Sequence, residues 1–257
     1  MCIEGKKEGN VFVAESENHF VKSVITETDG IFIRKDEYAN KSESDTYIES
    51  ISSRFLFNGG EYQVYTQTSV WQNESVGMWQ PLNTGVISYC ENVRTSESCA
   101  PFVALWSEQA NRGVAFHLFP ESMWKIEVKK VPIGDDKSIV EVRVAIDDKN
   151  LNIKLKKGEK IELPKILYYT FKNKVDMDCY KLHRYLNKNC KRKHMPVIYN
   201  SWLSDFDNIS YDGLTKQAKL AAKLGVEYFV VDAGWFGNHE KSCLVICHLF
   251  QKVFLMN

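Results

Sequence analysis

MPVIYNSWLSDFDNISYDGLTKQAKLAAKLGVEYFVVDAGWFG, residues 195–237, reads as one complete strand, helix, strand unit with polar residues at both strand ends. Val197, Ile198 and Tyr199 form a short apolar run that breaks at Asn200, Ser201 and Trp202, the pattern of a strand buried on both faces that ends at a functional rim. That strand is expected to end at Trp202. Between about Asp212 and Leu224, Leu214, Ala218, Ala221 and Ala222 recur at helical spacing, while Lys216, Lys219 and Lys223 fall on other faces. Gly225 stops the helix. Tyr228 to Val231 make a second continuous apolar strand, ending in Asp232, Ala233, Gly234 and Trp235. Two strands joined by a helix run parallel with a right-handed crossover.

Active sites of parallel α/β architectures lie at the C-terminal ends of the strands, so Trp202 and Asp232 are expected side by side in one mouth. The pairing has a chemical meaning. A carboxylate accepts hydrogen bonds from vicinal hydroxyls and an indole face covers the apolar C–H patch of a pyranose, together a sugar-binding corner. Gly234 lets the backbone turn beside it. The competing explanation makes Asp232 a cap for the next segment and Trp202 a core residue.

The segments PVIYNSW, FD and LAAKLGVEYFVVDAGWFG carry Asn-x-Trp and Asp-x-Gly-Trp-Phe-Gly in order and at a specific separation. They resemble the start of the catalytic barrel in glycoside hydrolase family 36, the α-galactosidases and their relatives. The close match covers roughly forty residues. The resemblance implies that Trp202 lines the pocket for the terminal sugar and that Asp232 binds its hydroxyls. Two positions depart from the family: Ala233 stands where a second carboxylate is often found, and Leu203 where Glu is often found. Both leave the sugar's identity open, with N-acetylgalactosamine an alternative to galactose. Two further stretches, YTQTSVWQNESVGMWQPL and PFVALWSEQANRGVAFHLFPESMWKIEV, resemble the family's N-terminal β-sandwich more loosely. Some members use that domain to shape the pocket or the oligomer, so the resemblance admits a homo-oligomer.

The region from Val11 to about Thr170 supports this organisation independently. Short β-type runs alternate apolar and polar residues between turn signals at Gly30, Asn58 to Gly60, Asn111 to Gly113 and Gly134 to Asp136. This spacing predicts a large antiparallel sandwich. Trp71 and Trp79 are either exposed sugar-stacking residues or, as is commoner for tryptophan in a sandwich, core or interface residues. Asp176 to Cys190 has a helical pattern and is read as a connecting helix. The basic runs at Lys154 to Lys160 and Lys191 to His194 are read as a polar hairpin end and a solvated linker, and His183 and His194 as structural or surface residues.

The fold class is therefore mostly β with an α/β C-terminal part: a sandwich over residues 1–171, a connecting helix and linker over 172–194, and the first βαβ unit of an incomplete (β/α)8 barrel over 195–238. Residues 239–257 do not resemble the family's sequence beyond Trp-Phe-Gly, and the expectation is an interrupted or mistranslated gene with the tail out of register.

With 33 basic and 33 acidic residues in 257, nothing points to a nucleic-acid or anionic-membrane partner. No signal-peptide-length apolar run opens the chain, and the seven scattered cysteines lack paired CxxC spacing, so a cytoplasmic protein with reduced thiols is expected. Cys243, Cys247 and His248 cluster but lack the further ligands a metal needs.

Retaining hydrolysis needs two carboxyl groups about 5 Å apart, one attacking the anomeric carbon and one protonating the leaving oxygen. No metal or organic cofactor is implied by that chemistry. In the family the two are aspartates on later barrel strands. Asp232 matches a binding residue, and Asp205 and Asp207 lack the catalytic motif, so no catalytic residue is assigned. Three expectations compete: an α-galactosidase-type enzyme fragment, inactive alone, with α-galactoside oligosaccharides as its partners; a sandwich that binds galactosides through Trp71 or Trp79 without turnover; and a structural remnant whose two strands leave their apolar faces unpaired.

Overall fold

The computed structural model describes residues 5–70, 72–90, 99–135, 137–172, 178–189 and 194–235. Its first strands are β1 (Gly5–Glu8), β2 (Val11–Glu15), β3 (His19–Thr28), β4 (Ile31–Asn40), β5 (Thr46–Ile48) and β6 (Ser52–Asn58). Next come β7 (Gln63–Val70), β8 (Asn73–Pro81), β9 (Gly85–Cys90), β10 (Cys99–Ser107), β11 (Arg112–Leu118) and β12 (Trp124–Gly134). The sandwich ends with β13 (Lys137–Ile146), β14 (Ile153–Leu155), β15 (Lys160–Glu162) and β16 (Ile166–Phe171), after which comes helix α1 (Tyr180–Asn189). The chain divides into two compact units after Asn189.

In the first unit a ten-stranded sheet runs in the order β1-β2-β3-β4-β16-β11-β10-β7-β8, with β15 also on β4. A four-stranded sheet runs β6-β13-β12-β9, and β5 pairs β14. Neighbouring strands throughout this unit are antiparallel, as expected from the alternating runs.

The period of two explains how one strand serves two cores. From β10, β11 and β16, the residues Val103, Leu105, Phe116, Leu118 and Ile166 face one way and pack with Trp124, Ile126, Val128, Val140, Val142 and Val144 of the small sheet. Their alternates, Phe102, Ala104, Ala115, Leu167, Tyr169 and Phe171, build a second cluster on the opposite face, against which Leu182 and Tyr185 of α1 pack. The helix read as a connector is therefore a cover for the large sheet, because its Leu182 and Tyr185 stripe has an apolar face to bury.

Several local expectations change. The expected turn at Asn58 to Gly60 is also a change of sheet: β6 belongs to the small sheet and β7 to the large one. The polar stretch after residue 71 is β8, paired with β7 from Gln63↔Pro81 to Val70↔Asn73. The turn before β11 closes by Asn111 N–H to the Glu108 carbonyl at 3.1 Å, so Gly113 already lies in the strand. Lys154 to Lys160 is not a hairpin end, since β14 and β15 pair with β5 and β4. Three of its four lysines form ion pairs: Lys154 with Asp45 (2.6 Å), Lys157 with Glu43 (2.5 Å) and Lys160 with Glu37 (2.7 Å).

The second unit begins with β17 (Ile198–Asn200), a one-turn helix α2 (Trp202–Asp205), helix α3 (Tyr211–Lys223) and β18 (Tyr228–Val230). β17 and β18 are parallel, pairing Ile198↔Tyr228, Tyr199↔Phe229 and Asn200↔Val230, with the Tyr199 and Phe229 rings stacked at 5.1 Å. Leu214 and Ala221 of α3 are buried. Ser210 caps the helix, its hydroxyl accepting the Gly213 N–H at 3.2 Å, and the C-terminus closes into Gly225 at φ +82°. Ser210→Ala should cost the helix ~1 kcal/mol, read as a lower midpoint in thermal unfolding of this unit.

The strands are not buried on both faces, contrary to the continuous apolar runs. Ile198 is 58% and Tyr228 60% exposed, and Val230 also faces solvent. A parallel strand is enclosed only when further strands and layers flank it, and the described part of this unit has two strands and one long helix.

Candidate functional site

Asp232 lies two residues past the end of β18 and Trp202 two past the end of β17, so both stand at the C-terminal ends of neighbouring parallel strands. Trp202 is not the strand's last residue, however. The chain bends at Ser201, which is fully buried, and Trp202 opens α2. The cause is local hydrogen bonding that a strand cannot offer: Asn200 Oδ1 accepts the Trp202 N–H at 2.8 Å, and the Phe206 N–H returns to the Trp202 carbonyl at 2.9 Å.

The two expected residues are joined through Asn200, to which the sequence pattern alone gives no separate role. Asn200 Nδ2 donates to Asp232 Oδ2 at 2.6 Å while its Oδ1 holds the Trp202 main chain. Asp232 Oδ1 accepts the Ala233 N–H at 2.7 Å, and the Asp232 N–H donates to Ser201 Oγ at 3.1 Å. The Ser201 N–H in turn donates to the Val230 carbonyl at 3.0 Å. Asn200 and Ser201 thus grip the end of β18 by side chain and main chain together.

The donors from Asn200 and then Ala233 hold the Asp232 carboxyl below its ordinary range. An ionised carboxylate with each oxygen already accepting one bond keeps further lone pairs for hydroxyl donors and has no proton to give. The Trp202 indole is half-buried and meets the Phe206 ring edge-on at 5.4 Å.

The next loops pack closely. Gly234 has φ +104°, and a Cβ there would lie 2.6 Å from the Asp207 carbonyl oxygen. This close approach requires glycine and brings the loop after α2 against the loop after β18. Asp205 is engaged by the Gln217 side chain of α3, and Leu203 is 85% exposed. His194 pairs with Glu227 at 2.8 Å, and the Glu227 carboxylate also accepts the Val197 N–H, so the pair braces the start of β17.

In the sandwich, Trp79 does not offer a free stacking face: it lies 5.2 Å from Tyr65 and packs against the second core cluster. Trp71, the cysteine and histidine cluster at 243–248 and the rest of the 239–257 tail lie outside the described residues. Among the described residues no group of His, Cys, Asp and Glu is placed to hold a metal ion, and no helix is long and apolar enough to cross a membrane.

A large antiparallel sandwich with a parallel β, α, β unit after it in the chain is the architecture of several glycosidase structures. The Melibiase family model matches residues 167–246, which includes Asn200, Trp202 and Asp232. The chain is 26% identical over 237 residues to α-galactosidase Mel36A of Lactobacillus acidophilus, covering 87% of this chain and 32% of that one. It is 28% identical over 219 residues to the probable α-galactosidase G of Emericella nidulans, covering 81% and 29%. The family 36 α-galactosidase AgaA of Geobacillus stearothermophilus superposes with a TM-score of 0.79 at 18% identity, over 93% of this chain and 36% of that one. The α-galactosidase of Lactobacillus brevis gives 0.78 at 15% identity, over 92% and 36%. The chain spans about a third of the length of the curated relatives it matches. It is related to glycoside hydrolase family 36, and its β-sandwich is that of the family's N-terminal domain.

Proposed function

We propose that this chain carries the sugar-recognition corner of an α-galactosidase-type retaining glycoside hydrolase, acting on terminal α-galactosyl residues of oligosaccharides. The observation that carries the reading is the Asn200 link between Asp232 and the Trp202 main chain at the ends of two parallel strands. It lies within the stretch matched by the Melibiase model. The relatives named above are α-galactosidases, and variants of the Geobacillus enzyme are bound to raffinose and to stachyose. In this reading the β, α, β unit is the start of a TIM-type barrel, and homo-oligomers of the whole enzyme are compatible with it.

In this reading the described residues hold part of the binding corner without the catalytic pair and are inactive alone. Hydrolysis with retention needs a second carboxyl about 5 Å from the first and a protonated acid, while Asp232 is held ionised. Galactose is the base expectation, and the single carboxylate left by Ala233 admits N-acetylgalactosamine. A cytoplasmic location accompanies the proposal, resting on the scattered cysteines of the sequence.

Titration with galactose, melibiose and N-acetylgalactosamine while following tryptophan fluorescence tests this. Saturable quenching is expected, lost in Asp232→Ala and in Trp202→Ala. Quenching that survives in both variants would place the sugar elsewhere, and its absence in the parent protein would remove the reading. Trp79 packed on Tyr65 argues against sugar recognition through that residue.

A further inference from the structure

We propose that Asn200 is the positioning residue of this corner, setting the Asp232 carboxylate and the Trp202 main chain in one fixed mutual placement. The inference rests on the reading of that corner as a galactoside site.

Three features carry it. First, the two contacts use the two ends of one planar amide: Nδ2 to Asp232 Oδ2 at 2.6 Å and Oδ1 from the Trp202 N–H at 2.8 Å. Neither can swing without moving the other. The assignment of amide oxygen and nitrogen is the one the partners demand, since an N–H needs an acceptor and a carboxylate needs a donor. Secondly, Asn200 and Val230 are the last pair of the β17–β18 ladder, and Asp232 follows only two residues later, so the register itself sets the amide beside that carboxylate. Thirdly, the bond lies between the ends of separate strands, 32 residues apart in the chain, so it orients one rim residue against the other rather than closing a local turn.

The consequence concerns how hydroxyls are met. With Oδ2 fixed by Asn200 and Oδ1 by Ala233, the carboxylate plane is set before any sugar arrives. A preorganised acceptor loses less rotational freedom on binding than one that must be ordered by its ligand. Trp202 shares the same anchor, so the acceptor and the start of the indole-bearing turn are presented as one piece.

Two variants separate the arms. Asn200→Ala removes both contacts. Asn200→Asp is nearly isosteric, keeps an acceptor for the Trp202 N–H and sets a carboxylate against Asp232. The readouts are the carboxyl-carbon titration of Asp232, assigned by the signal lost in Asp232→Asn, the amide resonance of Trp202, and affinities for galactose and melibiose. In Asn200→Ala the Asp232 midpoint should rise, the Trp202 amide should shift, and sugar affinity should fall roughly tenfold or more. In Asn200→Asp the carboxylate pair should titrate with one step raised while the Trp202 amide stays near its parent position. A residue that merely supports the fold would move neither titration nor amide selectively. An Asp232 midpoint unchanged in folded Asn200→Asp overturns the proposal. Parent protein that shows this titration pattern but binds neither sugar removes the galactoside reading while upholding the placement of Asp232 by Asn200.

Discussion

Gly234→Ala should destabilise the α/β unit by on the order of 3 kcal/mol and abolish any sugar binding at the corner. Two costs add. The backbone there has φ +104°, where a side chain is strained, and the new methyl would stand 2.6 Å from the Asp207 carbonyl oxygen and 2.9 Å from its Cα. Because the obstacle is main chain, it cannot yield by rotating a side chain. Either the loop after α2 or the one after β18 must move, and Asp232 lies only two residues before the glycine. Gly225→Ala is the informative contrast: φ is +82°, yet nothing lies within 4 Å of the added methyl. There only the conformational cost of about 1 kcal/mol remains. Hydrogen exchange monitored by mass spectrometry reads the difference by region. Peptides across 197–235 should lose protection in Gly234→Ala while sandwich peptides keep theirs, and equal protection in parent and variant would show that the loops absorb the methyl.

The second large effect is in the sandwich and depends on pH. His117 stacks on Phe102 at 4.4 Å and on Tyr169 at 5.7 Å, and its Nε2 is enclosed with no hydrogen-bond partner among the described residues. Burial first, and the nearby His183 second, lower its pKa to about 4. In the unfolded chain it titrates near 6.5. Between those values the unfolded chain binds a proton that the folded one does not, so acid favours unfolding. The contribution of His117 is complete above pH 6.5 and is lost as the pH falls towards 4, by about 3 kcal/mol in total. His117→Phe keeps an aromatic ring between Phe102 and Tyr169 and removes the proton. Urea unfolding at pH 7.5 and pH 4.5 should give a smaller acid loss for the variant than for the parent. Asp29 and Asp148, whose carboxyls Lys188 and Lys125 hold low, also lose stability in acid, but they do so equally in both proteins. Identical pH dependence would mean that the ring protonates in place.

Much of this was legible because it is local. VFVAE is β2 residue for residue, the run GVISYCENV holds β9 in its first six residues, and the Leu214, Ala218 and Ala221 spacing anticipates α3 to within a residue at its start. Alternation and helical period are properties of neighbouring residues, so they survive in a one-dimensional reading. The parallel pairing of β17 and β18 was legible for a related reason, since a helical crossover of that length leaves no antiparallel route. Trp202 and Asp232 could be placed near each other on the same ground.

The amino-acid sequence by itself thus determined the two-part chain, the antiparallel character of the first part, the β, α, β order of the second and the two rim residues. Tertiary structure alone decided which strands share a sheet. It inserted β16 between β4 and β11, and turned the helix at 180–189 into a cover. It also made Asn200 the link between Asp232 and Trp202, and set Asp207 against Gly234. These are contacts between residues distant in the chain. Their free energy depends on which apolar faces and unpaired donors meet after the chain has closed its loops, and no short window of residues contains both partners.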